Sequence, residues 1–367
     1  MNEISVGFDD QIFIAQSRGG ISKYFVELIQ RLPDYGVNPV LLMSNTNNLH
    51  LIESGLLPTS ELSRKSSRNK FSWLTWRLAG VPNQIPDPFP RIDLMHHTFT
   101  NRRYLGISDS PSVTTVFDMT PELFPQYFRK GNPHLSKHRY CREVDALISI
   151  SQSTKNDVDA IYRGKFSEKI TVIPFGVGDQ FFRRDDIDIE LPNEFLLFVG
   201  VRRGYKAFDV LCKAFKKASV SHPKLMLVVV GGGDFVPSED KLINELGIAD
   251  KIVKINPTDS EIVEVYRRAS AFVFPSEYEG FGLPTLEALA TGTVAILANN
   301  SCMREVGGDA ATYFETGNIN DLTDKINASL DAKVASEAAE KGPIWASKFT
   351  WDHVAEKTSI FYRSILG

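Results

Sequence analysis

The sequence predicts an α/β protein with two doubly wound parallel sheets. Short apolar runs alternate with segments of helical periodicity, which is typical of parallel strands covered by helices on both faces. The alternation stops in a charged stretch at 183–190 and then begins again. A chain of 367 residues is long enough for two cores of ordinary domain size. We therefore expect an N-terminal domain over residues 1–185, a second domain over 186–343, and a C-terminal helix over 344–367 that packs back on the first domain.

The first half of the chain begins with a glycine pair before a predicted helix. Gly19 and Gly20 precede apolar residues at helical spacing from Ile21 to Leu32. Short apolar runs further on predict buried strands. These strands lie at 37–43, 94–96, 112–117, 146–149 and 170–173. Because strands and helices alternate, the strands should form one parallel sheet.

The second half repeats this pattern. Strands are predicted at 195–199, 225–230, 252–255 and 271–274, and helices at 206–219, 239–246 and 260–269. A further helix follows the last of these strands, with Pro284 in its first turn and Gly292 at its end. Beyond residue 344, aromatic and apolar residues recur at helical spacing, and this stripe is too long for a free tail. The second half therefore predicts a second doubly wound sheet followed by a helix.

The composition argues against several classes of protein. The chain is 43% hydrophobic and 23% charged, as is typical of a globular protein. Its cysteines, Cys141, Cys212 and Cys302, lack the spacing of a zinc site or a disulfide framework, which favours a reducing compartment. No apolar run reaches the roughly 18 residues of a membrane-spanning helix, and the acidic start is unlike a signal peptide. We expect a cytoplasmic protein.

Charge is unevenly distributed along the chain. The net charge is −4, but residues 1–185 carry 22 Lys and Arg against 19 Asp and Glu, whereas residues 186–367 carry 19 against 26. The segment Arg64–Arg77 mixes five basic residues with aromatic ones. Such a mixture suits the surface of an anionic membrane, and it suits a solvated loop with a few buried aromatic side chains equally well. The first interpretation predicts peripheral contact with the inner face of the cytoplasmic membrane, and no nucleic acid partner is expected.

One segment indicates a ligand site more clearly than the rest. Glu279-Gly280-Phe281-Gly282-Leu283 follows a predicted strand, and Glu287 lies about one turn into the next helix. In open α/β sheets, ligands bind at the carboxyl ends of such strands. Glycines let backbone N–H groups approach a ligand, and a helix start attracts anions. The two carboxylates suit the hydroxyls of a sugar and a ribose, although each alone is equally well a helix-cap or surface residue.

A basic cluster follows the first strand of the second half. Arg202, Arg203 and Lys206 come after the strand at 195–199, where they could hold the oxygens of a diphosphate. Cations there would lower the barrier to departure of a diphosphate leaving group. A solvated loop would contain the same charges. The nearby Gly231-Gly232-Gly233 is not the dinucleotide-binding fingerprint, so it gives no support to hydride transfer.

Candidate residues in the first half are fewer. Gly19 and Gly20 open a helix and could complete a phosphate site, although a glycine pair before a helix is usually only a turn. His96 and His97 end a predicted strand and could face an acceptor, although a lone histidine is more often structural. Asp118 follows another strand and could bind a hydroxyl of donor or acceptor.

The stretch from Glu279 to Glu287 resembles the Glu-x7-Glu motif of the retaining glycosyltransferase family 4. That family has the GT-B fold, in which two Rossmann-like domains face each other across a cleft. Further segments similar to the family are Arg18–Tyr24, Asp118–Pro125, Ser149–Lys155, Ile173–Val177 and Glu305–Ala311. Among its branches the chain looks most like bacterial mannosyltransferases of surface-polysaccharide assembly.

The resemblance implies a role for each matching residue. It places Glu279 near the donor sugar, Glu287 on the ribose, Arg202 or Arg203 with Lys206 on the diphosphate, and the amides of Gly280, Phe281, Gly282 and Leu283 on sugar and phosphate. It implies transfer with retention, by an acceptor that attacks from the leaving group's own face, and no metal or other cofactor. Many relatives carry a histidine where this chain has Phe117, next to Asp118, so a histidine role there is in doubt.

These observations predict a retaining hexosyltransferase with a nucleotide-diphosphate sugar as donor. Mannose from GDP-mannose is the favoured donor, and a lipid-linked or growing polysaccharide is the expected acceptor, bound by the N-terminal domain. The alternatives of the same fold are a transferase that uses a UDP-sugar and a nucleotide-sugar epimerase. The alternative of another class is a glycan- or nucleotide-binding protein without catalytic activity.

Overall fold

The computed structural model describes residues 3–43, 46–57, 90–101, 104–128, 137–184, 187–202 and 204–367. The chain divides into two compact units. The first unit consists of Met1–Phe175 and Trp351–Gly367, and the second unit consists of Gly176–Thr350.

The boundaries of these units differ from the expected positions after residues 185 and 343. Residues 176–184 belong to the second unit. Phe181 is buried there against Tyr266, with 5.9 Å between the ring centroids. The N–H of Val177 also donates to the carbonyl of Phe349, at 2.9 Å. The charged stretch at 183–190 was expected to link the two domains, but the second unit already begins at Gly176, and the buried Phe181 belongs to it.

The sheet of the first unit is parallel throughout. Its strands are β1 (Ile4–Asp9), β2 (Val37–Leu42), β3 (Leu94–His97), β4 (Ser112–Val116), β5 (Ala146–Ser149) and β6 (Ile170–Val172). In the described residues they form a six-stranded sheet in the order β2-β1-β3-β4-β5-β6. The order reverses between β1 and β3, and the carboxyl ends at such a switch point are where ligands bind in open sheets.

Helices of the first unit cover this sheet. They include α1 (Gln11–Ala15), α2 (Gly20–Arg31), α3 (Leu49–Glu53), α4 (Thr120–Leu123), α5 (Lys137–Glu143) and α6 (Gln152–Tyr162). Helix α2 buries Tyr24, Phe25, Leu28 and Ile29, the face that its apolar spacing predicts. Helix α6 is capped by Ser151, whose Oγ accepts the N–H of Thr154 at 2.9 Å.

The sheet of the second unit is also parallel. Its strands are β7 (Phe195–Val199), β8 (Met226–Val230), β9 (Ile252–Ile255), β10 (Ala271–Phe274), β11 (Ala295–Ala298) and β12 (Thr312–Phe314). Their order in the described residues is β12-β11-β10-β7-β8-β9. The switch point therefore lies between β7 and β10, the two strands that precede the predicted basic cluster and the predicted glutamate motif. The predicted fold class, with two doubly wound parallel sheets, is confirmed.

Helices of the second unit enclose a core of aliphatic and aromatic side chains. They include α7 (Phe208–Ser221), α8 (Pro237–Leu246), α9 (Glu261–Arg268), α10 (Leu283–Ala290), α11 (Met303–Gly307), α12 (Ile319–Ser329) and α13 (Ala332–Ala346). Gly342 allows α13 to lie close to α10, because a Cβ at that position would come within 2.5 Å of the carbonyl oxygen of Leu289. Helix α13 therefore packs closely against α10, the helix that contains Glu287.

The C-terminal helix has narrower bounds than the expected 344–367. Helix α13 ends at Ala346, and a separate helix, α14 (Trp351–Leu366), belongs to the first unit. Oγ of Ser359 in α14 donates to the carbonyl of Tyr35 at 2.9 Å, which fastens α14 to the segment after α2. Within the described ranges, no helix combines the length and the apolar character that crossing a membrane requires.

Candidate active site

The loop between β10 and α10 lies at the switch point of the second sheet. Gly282 ends this loop with φ of 83°, a left-handed conformation that favours glycine. A Cβ on Gly282 would also lie 2.6 Å from Cε of Met303. Among the described residues no side chain caps α10. Pro284 has no N–H, and the N–H of Thr285 donates to the carbonyl of Gly282 at 2.8 Å, so the attraction for an anion comes mainly from the positive end of the helix dipole. The loop and helix start therefore form a site suited to an anion.

Lys206 and Glu279 form an ion pair at this switch point. Nζ of Lys206 lies 2.6 Å from Oε1 and 2.8 Å from Oε2 of Glu279. Lys206 ends the short helical turn Gly204–Lys206 after β7, and Glu279 lies in the loop after the neighbouring strand β10. The side chain of Lys206 is 19% exposed and that of Glu279 is 11% exposed, so a ligand can reach both charges. The two residues predicted for diphosphate and sugar are thus brought together.

The backbone of Glu279 is held by residues that follow β11. Its N–H donates to Oγ of Ser301 at 3.2 Å, and the thiol of Cys302 donates to its carbonyl at 3.3 Å. Burial raises the pKa of Cys302 well above its ordinary value, so the thiol stays protonated as a donor. Asn300 adds a bond to the same loop, from Nδ2 to the carbonyl of Ser276 at 2.8 Å. The sequence analysis did not identify these supporting residues, because they lie on a loop whose strand it did not predict.

Glu287 lies about one turn inside α10, as the sequence predicts. The hydroxyl of Tyr266, in helix α9, donates to its Oε2 at 2.9 Å. Tyr266 is fully buried, whereas Glu287 is partly exposed. The role of Tyr266 was not predicted, since no local pattern connects a tyrosine on one helix with a glutamate on another.

Arg202 does not face a ligand site in this structure. Its side chain is 1% exposed, and its guanidinium donates to the backbone carbonyls that follow β8. The acceptors are the carbonyl oxygens of Gly231, Gly232, Gly233 and Asp234. Nε of Arg202 also lies 3.3 Å from Oε2 of Glu239. In this conformation Arg202 is therefore not placed to contact a diphosphate, contrary to the prediction. Arg203 lies outside the described residues.

Gly19 and Gly20 lie at the start of α2, where the side chain of Gln16 also binds. Gly19 has an extended backbone with φ of 177°, and Gly20 is the first residue of the helix. Oε1 of Gln16 accepts the N–H of Ser22 at 3.2 Å, so one of the first donors of this helix is already bonded. The phosphate role of Gly19 and Gly20 stays a prediction.

His96 is a core residue rather than an acceptor-side group. It is fully buried, with Nδ1 2.5 Å from the hydroxyl of Tyr362 and Nε2 2.9 Å from Oγ1 of Thr115. Burial lowers the pKa of His96 to about 3, so the ring stays neutral. The prediction for His96 is corrected: β3 directs this side chain into the core, where it joins the strand to Tyr362 of α14.

His97 lies in a buried polar cluster at the carboxyl ends of β1 and β3. Its Nδ1 lies 2.8 Å from Oδ2 of Asp9, and Asp9 also accepts from the hydroxyl of Thr98 at 2.6 Å. The hydroxyl of Tyr104 donates to Oδ1 of the adjacent Asp10 at 2.6 Å. His97 is 2% exposed and paired with Asp9, and its role towards an acceptor stays a prediction. The cluster was missed because the sequence analysis did not predict β1.

Asp10 has an unusual protonation equilibrium. Burial raises the pKa of its carboxyl group to about 7, the charge of Asp9 adds to this rise, and the hydrogen bond from Tyr104 opposes it. Asp10 is 4% exposed. The folded protein therefore binds a proton at Asp10 over a pH range in which an unfolded chain has released it.

Asp118 follows β4 and lies at a small cavity of the first unit. Oδ1 of Asp118 accepts the N–H of Thr120 at 2.9 Å, and Nζ of Lys137 donates to the Asp118 carbonyl at 2.6 Å. Nζ of Lys137 also donates to Glu122 at 3.0 Å. The cavity has a volume of about 20 Å³, room for about one water molecule, and Asp118, Lys137 and Thr100 line it. Asp118 is thus partly exposed, as a residue that binds a hydroxyl must be.

Two family models match the chain in succession. Residues 18–181 match Glycosyltransferase Family 4, and residues 179–342 match Glycosyl transferases group 1.

Curated relatives share this family. The chain is 31% identical to the D-inositol 3-phosphate glycosyltransferase of Stackebrandtia nassauensis, in a match that covers 92% of this chain and 85% of that protein. The match to the enzyme of that name from Mycolicibacterium smegmatis is 27% identical and covers 58% of this chain and 49% of the relative. The MMP alpha-(1->4)-mannosyltransferase of Mycolicibacterium hassiacum is 24% identical, over 76% of this chain and 66% of that protein.

Solved structures share the fold over almost the whole chain. A glycosyltransferase from Rickettsia africae has a TM-score of 0.71 at 18% identity, with 100% of this chain and 99% of that one covered. Anabaena Alr3699/HepE, solved in complex with UDP and glucose, has a TM-score of 0.72 at 17% identity, with coverage of 99% and 100%.

The parallel sheets and the matched structures define a GT-B protein. The chain belongs to the glycosyltransferases of group 1 and family 4. It is an enzyme, and the predicted class, hexosyltransferase, is confirmed.

Proposed function

We propose that this chain is a retaining hexosyltransferase that binds a nucleotide-diphosphate sugar at the switch point of the second unit. It transfers the hexose to a glycan or lipid-linked acceptor and needs no metal. The observation that carries this proposal is the Lys206–Glu279 ion pair beside the uncapped start of α10, with Glu287 one turn further along.

A sugar diphosphate offers a matching partner to each of these groups. Phosphate oxygens are attracted by the ammonium of Lys206 and by the positive end of the α10 dipole. Hydroxyls of the sugar donate to the carboxylate of Glu279, and hydroxyls of the ribose donate to Glu287. Donor binding then exchanges one ion pair for several charge-assisted hydrogen bonds and leaves neither Lys206 nor Glu279 unpaired, which limits the desolvation cost.

The same groups stabilise the departure of the leaving group. The bond between the anomeric carbon and the phosphate oxygen breaks, and negative charge develops on the diphosphate. Lys206 and the dipole of α10 are held in place before this charge appears, so they lower the barrier electrostatically. The acceptor hydroxyl attacks from the leaving group's face, and its proton passes to the departing phosphate oxygen. The anomeric configuration is retained without a nucleophilic carboxylate.

The favoured donor is GDP-mannose, and UDP-glucose is the second candidate. A relative named as a mannosyltransferase supports the first. The structure of Anabaena Alr3699/HepE with UDP-glucose, similar to this chain in fold, motivates the second. The acceptor is proposed to bind the first unit near Asp118. Fold similarity to WaaG, described as involved in lipopolysaccharide biosynthesis, is in keeping with a surface glycan as acceptor, at a TM-score of 0.66 and 16% identity.

Peripheral membrane contact through Arg64–Arg77 is a separate part of the proposal. This segment lies outside the described residues, so the proposal depends on its basic and aromatic sequence alone. Reversing the charges of Arg64, Lys65, Arg68 and Lys70 should reduce co-sedimentation with vesicles that contain anionic lipid. Equal co-sedimentation of the variant and the parent protein would rule out this contact.

A donor panel tests the function directly. GDP-mannose, UDP-glucose and a dTDP-sugar are each added to the protein, and the melting temperature is measured with and without EDTA. A ligand that binds only the folded state raises that temperature, so one nucleotide class should raise it well above the others. Transfer to a lipid-linked glycan, followed by NMR of the product, should show the anomeric configuration of the donor. No stabilisation by any donor would refute the donor site, and an inverted product would refute retention.

A further inference from the structure

We propose that Tyr266 is the residue that positions Glu287 to receive the ribose of the donor, and that it thereby contributes to selection of a ribonucleotide. This inference rests on the proposed function, because it assigns Glu287 to the ribose hydroxyls. It adds a residue that does not itself contact the donor.

The hydrogen bond between Tyr266 and Glu287 runs from the tyrosine hydroxyl to the carboxylate. The hydroxyl of Tyr266 lies 2.9 Å from Oε2 of Glu287, and Tyr266 is fully buried. Burial, with the charge of Glu287 as a second cause, raises the pKa of Tyr266 well above its ordinary value. The hydroxyl is therefore protonated at every physiological pH, and its proton points to the carboxylate.

Tyr266 is itself held in place by its neighbours. Its ring contacts Phe181 on one side and Phe272 of β10 on another, with centroid distances of 5.9 and 5.6 Å. Its backbone carbonyl accepts the hydroxyl of Thr293, just beyond α10, at 2.6 Å. Tyr266 is thus fixed to the sheet, to the segment 176–184 and to the end of the helix that contains Glu287.

Tyr266 also lowers the entropic cost of ordering the Glu287 side chain when the donor binds. A free glutamate side chain loses conformational entropy when it becomes fixed. A hydrogen bond that already holds one carboxylate oxygen reduces this cost before the donor arrives. A carboxylate can accept about four hydrogen bonds, so it can bind Tyr266 and a ribose diol together.

The experiment compares Tyr266→Phe with the parent protein in titrations of four nucleotides. These are UDP, GDP and their 2′,3′-dideoxy counterparts, followed by isothermal titration calorimetry. Loss of the hydroxyl should weaken the better-bound ribonucleotide by about three- to tenfold. Its dideoxy counterpart should bind both proteins with equal affinity within a factor of two, because it has no hydroxyls for Glu287 to accept.

Two further variants separate positioning from folding. Tyr313→Phe removes a hydroxyl elsewhere in the second unit, where it donates to the carbonyl of Gly308 at 2.8 Å, and it should leave all affinities unchanged. In a Glu287→Ala background, Tyr266→Phe should have no additional effect. Melting temperatures without ligand report any loss of fold.

Different results would contradict the positioning role of Tyr266 and the proposed function. Equal weakening of ribo- and dideoxynucleotides by Tyr266→Phe would overturn the positioning role, as would unchanged affinity for both. Failure of the parent protein to bind either UDP or GDP would instead overturn the proposed function and this inference with it.

Discussion

At the scale of single residues, the ion pair between Lys206 and Glu279 determines the chemistry of the site. An exposed pair of this kind contributes little to stability, since water and salt screen it. Here both side chains are mostly buried, and the loop after β11 holds the backbone of Glu279. Burying this pair therefore costs desolvation free energy, and the protein does not need the pair in order to fold. Such a cost is expected for charged groups that are retained for ligand binding.

Lys206→Ala should reduce kcat of sugar transfer by about 10²- to 10³-fold, the usual effect of removing one preorganised charge from a developing anion. The measurement is transfer at saturating donor. Lys213→Ala is the matched control, because Lys213 is an exposed lysine of α7 whose partner is Asp209 in the same helix. Equal rates for Lys206→Ala and the control would contradict the assigned role.

Asp10 makes a prediction about stability and pH. The folded pKa is about 7 against an ordinary value of 3.8, so between these pH values the folded state binds more protons than the unfolded state. The free energy of unfolding therefore falls as the pH rises through this window. Asp10→Asn lacks this ionisation, and its oxygen can still accept from Tyr104. Relative to the parent protein, the variant should gain about 2 to 3 kcal/mol between pH 5 and pH 8.5.

Urea unfolding at the two pH values measures this difference. The neutral, buried His96 also makes stability depend on pH, in the opposite direction, since its pKa is lowered to about 3. Its contribution is common to both proteins and cancels. Asp109→Asn, at an exposed acid of the same unit, should show no pH-dependent gain. A constant difference between Asp10→Asn and the parent protein would show that Asp10 titrates normally.

At the scale of elements, the strands were predicted well where both faces of the sheet are covered. Such strands are apolar runs, and those at 146–149, 195–199 and 271–274 have the bounds that the sequence predicts. The half-buried edge strand at 252–255, which contains Lys254, also has the predicted bounds. Strand β1 was missed, because a glycine interrupts it and it ends at a pair of acids. The missed strand carries the Asp9 and Asp10 cluster, so the cluster was missed with it.

The direction of a side chain after a strand was harder to predict than the strand itself. Arg202 and Lys206 both follow β7, yet one turns into the glycine loop and the other reaches Glu279. A pattern of charges in sequence contains no information on this difference. The loop Gly231-Gly232-Gly233 explains it, because its three glycines have φ between 70° and 83° and direct their carbonyl oxygens at one guanidinium.

Arg202→Lys should loosen this loop, because an ammonium cannot donate to four successive carbonyl groups in the manner of a planar guanidinium. We expect faster amide hydrogen exchange over residues 231–236 and a loss of about 1–3 kcal/mol in the free energy of unfolding. Arg139→Lys, at an exposed arginine paired with Glu143, is the control. Unchanged exchange with weaker nucleotide binding would instead favour the predicted diphosphate role of Arg202.

At the scale of the whole molecule, the resemblance to a family predicted more than periodicity did. The Glu-x7-Glu segment identified the donor loop, and its glycine before α10 is required by both its φ and the nearby Met303. The supporting residues Tyr266, Ser301 and Cys302 could not be predicted, because they reach the motif across helices and loops that are distant in sequence. The compact units change at 175 and 350, next to Phe175 and Trp351, whose ring centroids lie 5.8 Å apart in the first unit.

The central claim is that a nucleotide-diphosphate sugar binds at the carboxyl edge of the second sheet. Hydrogen–deuterium exchange with and without the donor selected by the panel tests it most directly. The account predicts slower exchange in peptides that cover residues 200–207 and 275–290. Donor binding that leaves both segments unchanged and protects other parts of the chain would contradict it.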